Sequence, residues 1–470
     1  MSATASPRHA GKAARDRATR SSHAAWKAPD DRPDPITLLQ RDDEGRLPQL
    51  LPIRYFRMLQ SPFAFYRGSA SIMASDLQST PVSGIRTQIG GDAHLMNFGA
   101  FGTPERRFVF DINDFDETTT GAWEWDVKRL VTSVDIAARH LKLRPRDARE
   151  AVLACARSYR ERMHEFAEKT VLDVWYARID ENVLADVVRG ADARKRTAAA
   201  NHAPAKQTDA HLWPTVAPGS DGSVVIEDKV PKIFHPPDRA EYEKTVRALV
   251  HAYARSLPIE RRRLFDRYRF VDAAYKVVGV GSVGTRCSVA LFEAAPGDSL
   301  WLQLKEARAS VFERYVAHGE FADHGERVVV GQRLMQSSSD LFLGWGRADD
   351  GHTFYVRQLR DMKTSANVDA MTADDLRRYA VVCGWALARA HARGGGSSGE
   401  IAGYLGRGDA FDQALAAFAD AYAQQNDADF EALRAARDDG RIAASEKGGF
   451  VDQERSGSSK NGAGIKILDS

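Results

Sequence analysis

The stretch Gly90–Arg129, GGDAHLMNFGAFGTPERRFVFDINDFDETTTGAWEWDVKR, decides how the chain is read. A strand, Val82–Ile89, runs into the Gly90-Gly91 turn, RFVFDI at Arg107–Ile112 forms a second strand, and a helix begins near Trp123. Val127, Leu130, Val131, Val134 and Ala138 recur along it at helical spacing. Asp92, Asp111, Asp114, Asp116 and Glu117 crowd these elements. Ionised carboxylates are costly to bury unpaired, so the cluster calls for a metal, for Lys/Arg, or for both. The expected arrangement has Asp92 positioning a substrate hydroxyl while Asn97 and Asp114 hold Mg²⁺, with Asp111 or Asp116 as alternates for Asp114. Asp126 falls in the first turn of the helix, either as a dipole-favoured carboxylate or as a brace for the Asp92 loop.

Working outward, the second informative stretch is Tyr275–Ala307, YKVVGVGSVGTRCSVALFEAAPGDSLWLQLKEA. Gly279-x-Gly281-Ser282-x-Gly284 lies between two strand-like runs rather than before a helix, which argues against a dinucleotide-binding unit. A glycine-rich hairpin lets backbone approach phosphates. Lys305 on the next strand can then reach the α- and β-phosphates. The plainer alternative is a glycine-bulged hairpin with a surface lysine. Residues Phe312–Gln336 read as a helix, with Glu326 expected as the partner of Lys305 and Glu320 or Glu313 next in line. Leu341–Gly344 and Thr353–Leu359 read as further strands, and RQLRDMKTS as a link onward. Upstream, Arg54, Arg57 and Arg67 recur in an aromatic helical segment, either solvated or as forks for carboxylate or phosphate.

The 470 residues leave room for more than one domain. Apolar residues make up 43% and charged residues 28%, ordinary for a soluble protein, and the odd, sparse cysteine count fits a reducing cytoplasm. A net charge of +2 supplies no global field for nucleic acid, and no run of about 18 apolar residues suggests a membrane span, so neither partner is expected. Cys155, Cys287 and Cys383 lie far apart, giving neither a disulfide framework nor a zinc site. Residues 1–34, Ala/Ser/Arg-rich with few large apolar groups, are expected as a disordered tail, and residues 441–470 as another. Between them the reading places the acidic motif in 35–189, a loop or linker in 190–223, a helical connector in 224–270, the glycine-rich β region in 271–363 and a helical region in 364–440.

SPFAFYRGSA, GDAHLMNFG, FDINDFDET, GAWEWDVKRL, VGVGSVGTR, LQLKEA and RQLRDMK together resemble an uncharacterised bacterial family, domain of unknown function 2252, across roughly residues 35–440. A second resemblance concerns the site. Gly91-Asp92-x-His94-x-x-Asn97 is similar to the catalytic loop of aminoglycoside phosphotransferases and choline kinases, with Gly90 standing where that group has histidine. Asp114-Phe115 resembles their metal-binding Asp, Asp126 falls at their helix-start Asp, and His94 joins it as a structural brace. The resemblance implies an α+β, protein-kinase-like two-lobe fold with a small antiparallel β lobe and a larger helical lobe. It implies ATP and Mg²⁺ as cofactors, with Asp92, Lys305 and Glu326 as catalytic groups. Gly279, Gly281, Ser282 and Gly284 would then take the nucleotide. Because the catalytic-loop motif precedes the glycine loop, the order would be circularly permuted. The acceptor is left unnamed. Two alternatives stand beside this reading, a catalytically inactive nucleotide-binding or scaffold protein and a metal-dependent phosphoesterase.

Overall fold

A computed structural model describes residues 6–182, 184, 214–218, 224–316, 321–359 and 363–450. Two hydrophobic centres organise it. The smaller lies in a six-stranded antiparallel sheet, in the order Gly344–Arg347, Thr353–Gln358, Asp298–Ala307, Cys287–Ala295, Arg269–Lys276, Ile233–Phe234. Alternation along Asp298–Ala307 sorts its side chains. Leu300, Leu302 and Leu304 enter the core with Tyr253, Phe265 and Phe292, while Gln303 and Lys305 face the other way. Lys305 pairs in register with Cys287 on one side and Tyr355 on the other. The helix His324–Met335 and the helix Arg239–Ala254 pack on this sheet. The turn between Arg269–Lys276 and Cys287–Ala295 carries the glycine-rich sequence, so that stretch is an antiparallel hairpin and not a parallel βαβ unit.

The larger centre is helical. Trp123–His140, Pro145–Phe166, Ala373–Gly395 and Ala410–Asp438 pack around Trp123, whose indole stacks on Tyr159 at 5.7 Å between centroids. On this body sit two small sheets. One pairs Arg86–Ile89 with Thr119–Ala122; the other runs Lys363–Ser365, Phe98–Gly102, Phe108–Ile112, Ile179–Asp180. The molecule is thus α+β with small antiparallel sheets. No helix among the described residues is long and apolar enough to cross a membrane.

The N-terminal segment corrects the composition argument. Residues 6–34 carry the helix Pro7–Ala13 and two short turns, docked on Ser398–Leu405 and Ala410–Asp438. The small residues that made the segment look unable to fold are what allow it to dock. A Cβ on Gly11 would lie 1.8 Å from the Glu400 carbonyl oxygen, and one on Gly403 would lie 2.2 Å from that of Arg8. Arg15 then donates to the carbonyls of Gly403 and Tyr404, and Arg20 to that of Leu405, so arginines satisfy the orphan carbonyls that end the Ser398–Leu405 helix. His23 is fully buried against the Tyr404 hydroxyl at 2.6 Å.

The C-terminal segment is likewise packed as far as it is described. Ser445 and Gly449 donate backbone bonds to Pro52 and Gln49, and Phe450 meets Phe234 edge-on. Of the expected 190–223 loop, Val216–Pro218 pairs with Val224–Ile226; residues 190–213 and 219–223 lie outside the described residues. The 224–270 region contributes the edge strand Ile233–Phe234 to the main sheet as well as helices. The helix read over Phe312–Gln336 begins only at His324, and the strand read at Leu341–Gly344 is Gly344–Arg347.

Candidate functional site

A cavity of about 1200 Å³ lies between the two centres. Asp92, His94, Asn97, Asp114, Lys305 and the Gly279–Ser282 turn all line it. Groups from chain segments nearly 200 residues apart therefore share one cleft.

The loop holding Asp92 is built by its backbone. Gly91 adopts φ +79°, and a Cβ there would lie 2.3 Å from the Glu117 carbonyl oxygen, so only glycine fits. The N–H groups of Gly90 and Gly91 donate to the two Asp126 carboxylate oxygens at 2.7 and 2.8 Å. Asp126 is fully buried and also meets His391 Nε2 at 3.1 Å; His391 Nδ1 in turn meets the Tyr159 hydroxyl at 2.8 Å. Asp126 therefore braces the loop from behind. Arg129, one helical turn on, donates through Nε to Asp92 Oδ1 at 2.9 Å and through Nη2 to the Tyr66 carbonyl at 2.7 Å, and its guanidinium lies over the Tyr66 ring. Asp92 is thereby fixed in direction. Asn97 Nδ2 donates to the Asp92 carbonyl at 2.6 Å, so its oxygen is the atom left for a cation. His94 is buried, with Nε2 at 3.6 Å from Asp92 Oδ2. Burial lowers its pKa to about 4 although Asp92 pulls the other way, so the ring is neutral near pH 7.

The three candidate aspartates beyond the Phe108–Ile112 strand divide sharply. Asp111 is fully buried and lies away from the cleft, which corrects its expected metal role. Its oxygens take Arg389 Nη2 at 2.5 Å, Ser337 N at 2.8 Å and Ser337 Oγ at 2.7 Å, which leaves it a structural group. Asp116 is the hub between the halves of the cleft. It receives Lys305 Nζ at 2.6 Å, Ser282 Oγ at 3.1 Å and the Tyr355 hydroxyl at 2.6 Å. Burial alone would raise its pKa, but the charge and hydrogen bond of Lys305 outweigh that and hold it low. Asp114 is the least enclosed of the three, its side chain 33% accessible against 26% for Asp116, with Lys305 at 3.9 Å. Burial and then the charge of Asp116 raise its pKa, which marks a carboxylate short of positive charge.

Lys305 is buried, and its charge is held by Asp114 and Asp116 against the cost of burial. Glu326 does not pair with it. Glu326 sits in the first turn of its helix, outside the cleft lining, where its N–H is capped by Asp323. Glu313 pairs instead with Arg327 at 3.0 Å, and Glu320 lies outside the described residues. The physical reason is reach. Arg327 of the same helix donates to the carbonyls of Thr118, Asp116 and Arg308, drawing the acidic loop under the sheet so that Asp116 is the nearest anion to the lysine.

The glycine turn is held through its carbonyls. Arg46 Nη1 donates to the carbonyls of Gly281 and Val283, Arg57 Nη1 to that of Gly279, and Leu47 N to that of Gly284. Those carbonyls are thus occupied, and among the described residues no protein acceptor takes the N–H groups of Gly279, Gly281 or Ser282. Gly284 shapes the turn at φ +90° against Arg46 but does not line the cavity.

Sequence reasoning missed Arg129, Arg357, Arg389 and His391. The signal available was polar residues in apolar company: Arg389 and His391 interrupt the otherwise apolar run Cys383–Ala392. Arg357 lines the cleft beside Asp114, donating to Gln303 Oε1 and the Asn113 carbonyl.

Against family models, residues 46–436 match the family described as "Uncharacterized protein conserved in bacteria (DUF2252)". The chain belongs to that family. No curated protein and no solved structure matches it. The DUF2252 region opens at Arg46, which latches the glycine turn, and closes at Ala436, buried in the last long helix. It includes Asp92, Asn97, Asp114, Lys305 and the Gly279–Ser282 turn, while the docked helix Pro7–Ala13 lies outside it.

Glu117 gives the cleft a measurable pH signature. Burial pushes its carboxyl up to about 7, against the Val311 N–H at 2.7 Å and the charge of Arg327. Between pH 4.5, the ordinary value, and about 7 the folded chain keeps a proton that the unfolded chain has lost. Stability must therefore fall as pH rises through that window, by up to about 1.4 kcal/mol per pH unit. Glu117→Gln should remove this contribution, leaving the variant more stable than wild type above pH 7 and level with it below pH 4.5. Urea denaturation at several pH values reads the difference. Parallel curves for the two proteins would rule the assignment out.

Proposed function

We propose that the chain is an ATP-dependent phosphotransferase of protein-kinase-like, circularly permuted design. The observation that carries this reading is the single cleft shared by the Gly279–Ser282 turn, Lys305, Asp92, Asn97 and Asp114. Phosphoryl transfer asks little covalent chemistry of the protein and much positioning, and the residues sharing this cleft supply a candidate for each part. The N–H groups of the turn face phosphate oxygens, with Lys305 and Arg357 supplying charge behind them. Asp92, aimed by Arg129 and steadied through Asp126, orients the acceptor hydroxyl and receives its proton. The order of strands around the turn, then the lysine strand, helix and two further strands, supports the small-lobe comparison; the Asp92 loop and its long helices support the larger lobe.

The donor set fits Mg²⁺ in one particular way. Among the described residues no three His, Cys, Asp or Glu side chains are grouped to hold a metal, so a dedicated all-protein cage is not supported. Mg²⁺ commonly takes one or two carboxylates together with phosphate oxygens and waters, and Asp114 is a carboxylate short of positive charge. Asp114 and the Asn97 oxygen would hold the ion, which supplies charge neutralisation on the phosphates when bound. The same sparse set gives the phosphoesterase alternative less support, because two bridged metals need more ligands, and Asp92 is engaged by Arg129.

Calorimetric titration of MgATP into the protein tests the proposal. Wild type should bind, and Lys305→Ala should weaken binding at least tenfold, the loss of one charge-assisted contact. Asn97→Ala serves as a second variant that leaves the Lys305–Asp116 pair in place. Wild-type protein that takes up no nucleotide with either Mg²⁺ or Mn²⁺ would remove the phosphotransferase reading.

A further inference from the structure

Arg67 stands out among the cations that line the cleft. Lys305 has Asp116, Arg54 has Asp43, and Arg46 and Arg308 are spent on backbone carbonyls. The Arg67 guanidinium makes no hydrogen bond or ion pair among the described residues, and its Nε is buried without a partner. Its nearest aromatic is Phe63, with 5.9 Å from the guanidinium carbon to the ring centroid. A half-buried guanidinium that lines a cleft with no hydrogen-bonded partner has its outer N–H groups free for an anion from outside the chain.

The position of the side chain says which substrate brings that anion. The Arg67 backbone touches the glycine turn, its carbonyl oxygen lying 3.4 Å from where a Gly281 Cβ would be. The side chain leaves in another direction, over Phe63, and the carboxylates that act on it most are Asp92 and then Asp369. That is the Asp92 side of the cleft. A second unsatisfied group lies there. His94, 6% exposed and lining the same cavity, has a buried Nδ1 with no partner. An unpaired guanidinium beside the hydroxyl-orienting aspartate, with the neutral His94 ring next to it, forms a receptor for a small acid.

We propose that the acceptor is a small alcohol bearing an anionic group, carboxylate or phosphate, which Arg67 grips while Asp92 orients the hydroxyl. This rests on the phosphotransferase reading above. The acceptor oxygen forms the new bond to the γ-phosphorus, the bond from that phosphorus to the β–γ bridging oxygen breaks, and ADP leaves with the electron pair. The hydroxyl proton passes to Asp92 and then to water. The charge preference is opposite to that of choline, the cationic acceptor of one group the Asp92 motif resembles.

The test uses full-length protein, saturated with a non-hydrolysable ATP analogue and Mg²⁺, and a charge-matched set of small alcohols. Glycerate carries a carboxylate, glycerol 3-phosphate a phosphate, glycerol no charge and choline a positive one. Binding is read by calorimetry and transfer by ADP release with ATP. One or both anionic alcohols should bind and stimulate ADP release, and the member that does so identifies the anion. Arg67→Gln should weaken that binding at least tenfold, with Arg67→Lys recovering part of it, both variants keeping the wild-type melting curve. Binding of choline or glycerol in preference to both acids would overturn the proposal, as would equal affinity of Arg67→Gln for the acids, or no binding of either at millimolar concentration. The affinity of wild type for the nucleotide analogue alone is measured in the same titration. If the analogue does not bind, the phosphotransferase reading has failed; if it binds and the acids do not, only the acceptor assignment has.

Discussion

Replacing Arg389 by methionine is expected to destabilise the protein by about 3 kcal/mol. Arg389 and Asp111 are both fully buried, 2.5 Å apart, on helix Ala373–Gly395 and strand Phe108–Ile112. Arg389 Nη2 also donates to the Met335 carbonyl at 2.8 Å, so one side chain ties a helix of the larger centre to the helix under the main sheet. Removing it leaves the Asp111 charge buried with only the Ser337 and Ile112 hydrogen bonds. Two guanidinium nitrogens of Arg389 have no partner, which holds the expected loss to the lower end of the usual range for a broken buried pair. The double variant Arg389→Met/Asp111→Asn should recover part of the loss, because the stranded charge is gone. Denaturant midpoints of wild type, both single variants and the double variant form the cycle. Additive effects would mean that the two residues are not coupled and that Asp111 has some other role.

Asp114→Asn should do the reverse: abolish turnover and spare the fold. Asp114 sits beside Asp116, and that like charge, added to burial, already raises its pKa. Neutralising it relieves repulsion, so the melting temperature should hold or rise. Nucleotide turnover should fall about a hundredfold or more, since a group acting on charge that develops in the transition state is lost. Single-turnover measurements with labelled ATP beside thermal melts read the two quantities separately. Full activity in the variant would dismiss Asp114 as a metal holder. A melting temperature lowered together with activity would make it a structural aspartate like Asp111. Sites that bind or react commonly carry such destabilising charge, and the Asp114–Asp116 pair follows that pattern.

Much of this architecture was legible in local pattern. Alternation in Cys287–Ala295 and Asp298–Ala307 with a Pro-Gly-Asp turn can form only a hairpin, so Lys305 was bound to face away from the core. Helical spacing after Trp123 likewise placed Asp126 in a first turn. These follow from neighbours along the chain. Which of Asp111, Asp114 and Asp116 is structural, half-exposed or tightly paired did not follow, because each is decided by distant residues: Arg389 for Asp111, Lys305 at 3.9 Å for Asp114, and Lys305 with Tyr355 at hydrogen-bond distance for Asp116. The pairing of Lys305 with Asp116 instead of Glu326 depends on Arg327 drawing the acidic loop under the sheet, a contact between residues about 200 apart. The N-terminal helix was hidden for the same reason. Its own composition buries little, and it folds because Ser398–Leu405 offers a glycine groove and unsatisfied carbonyls. Sequence alone determined which residues carry charge and on which side of a strand or helix they stand. Tertiary structure decided which charges meet, because a carboxylate in low dielectric takes the nearest cation in space, whatever its place in the chain.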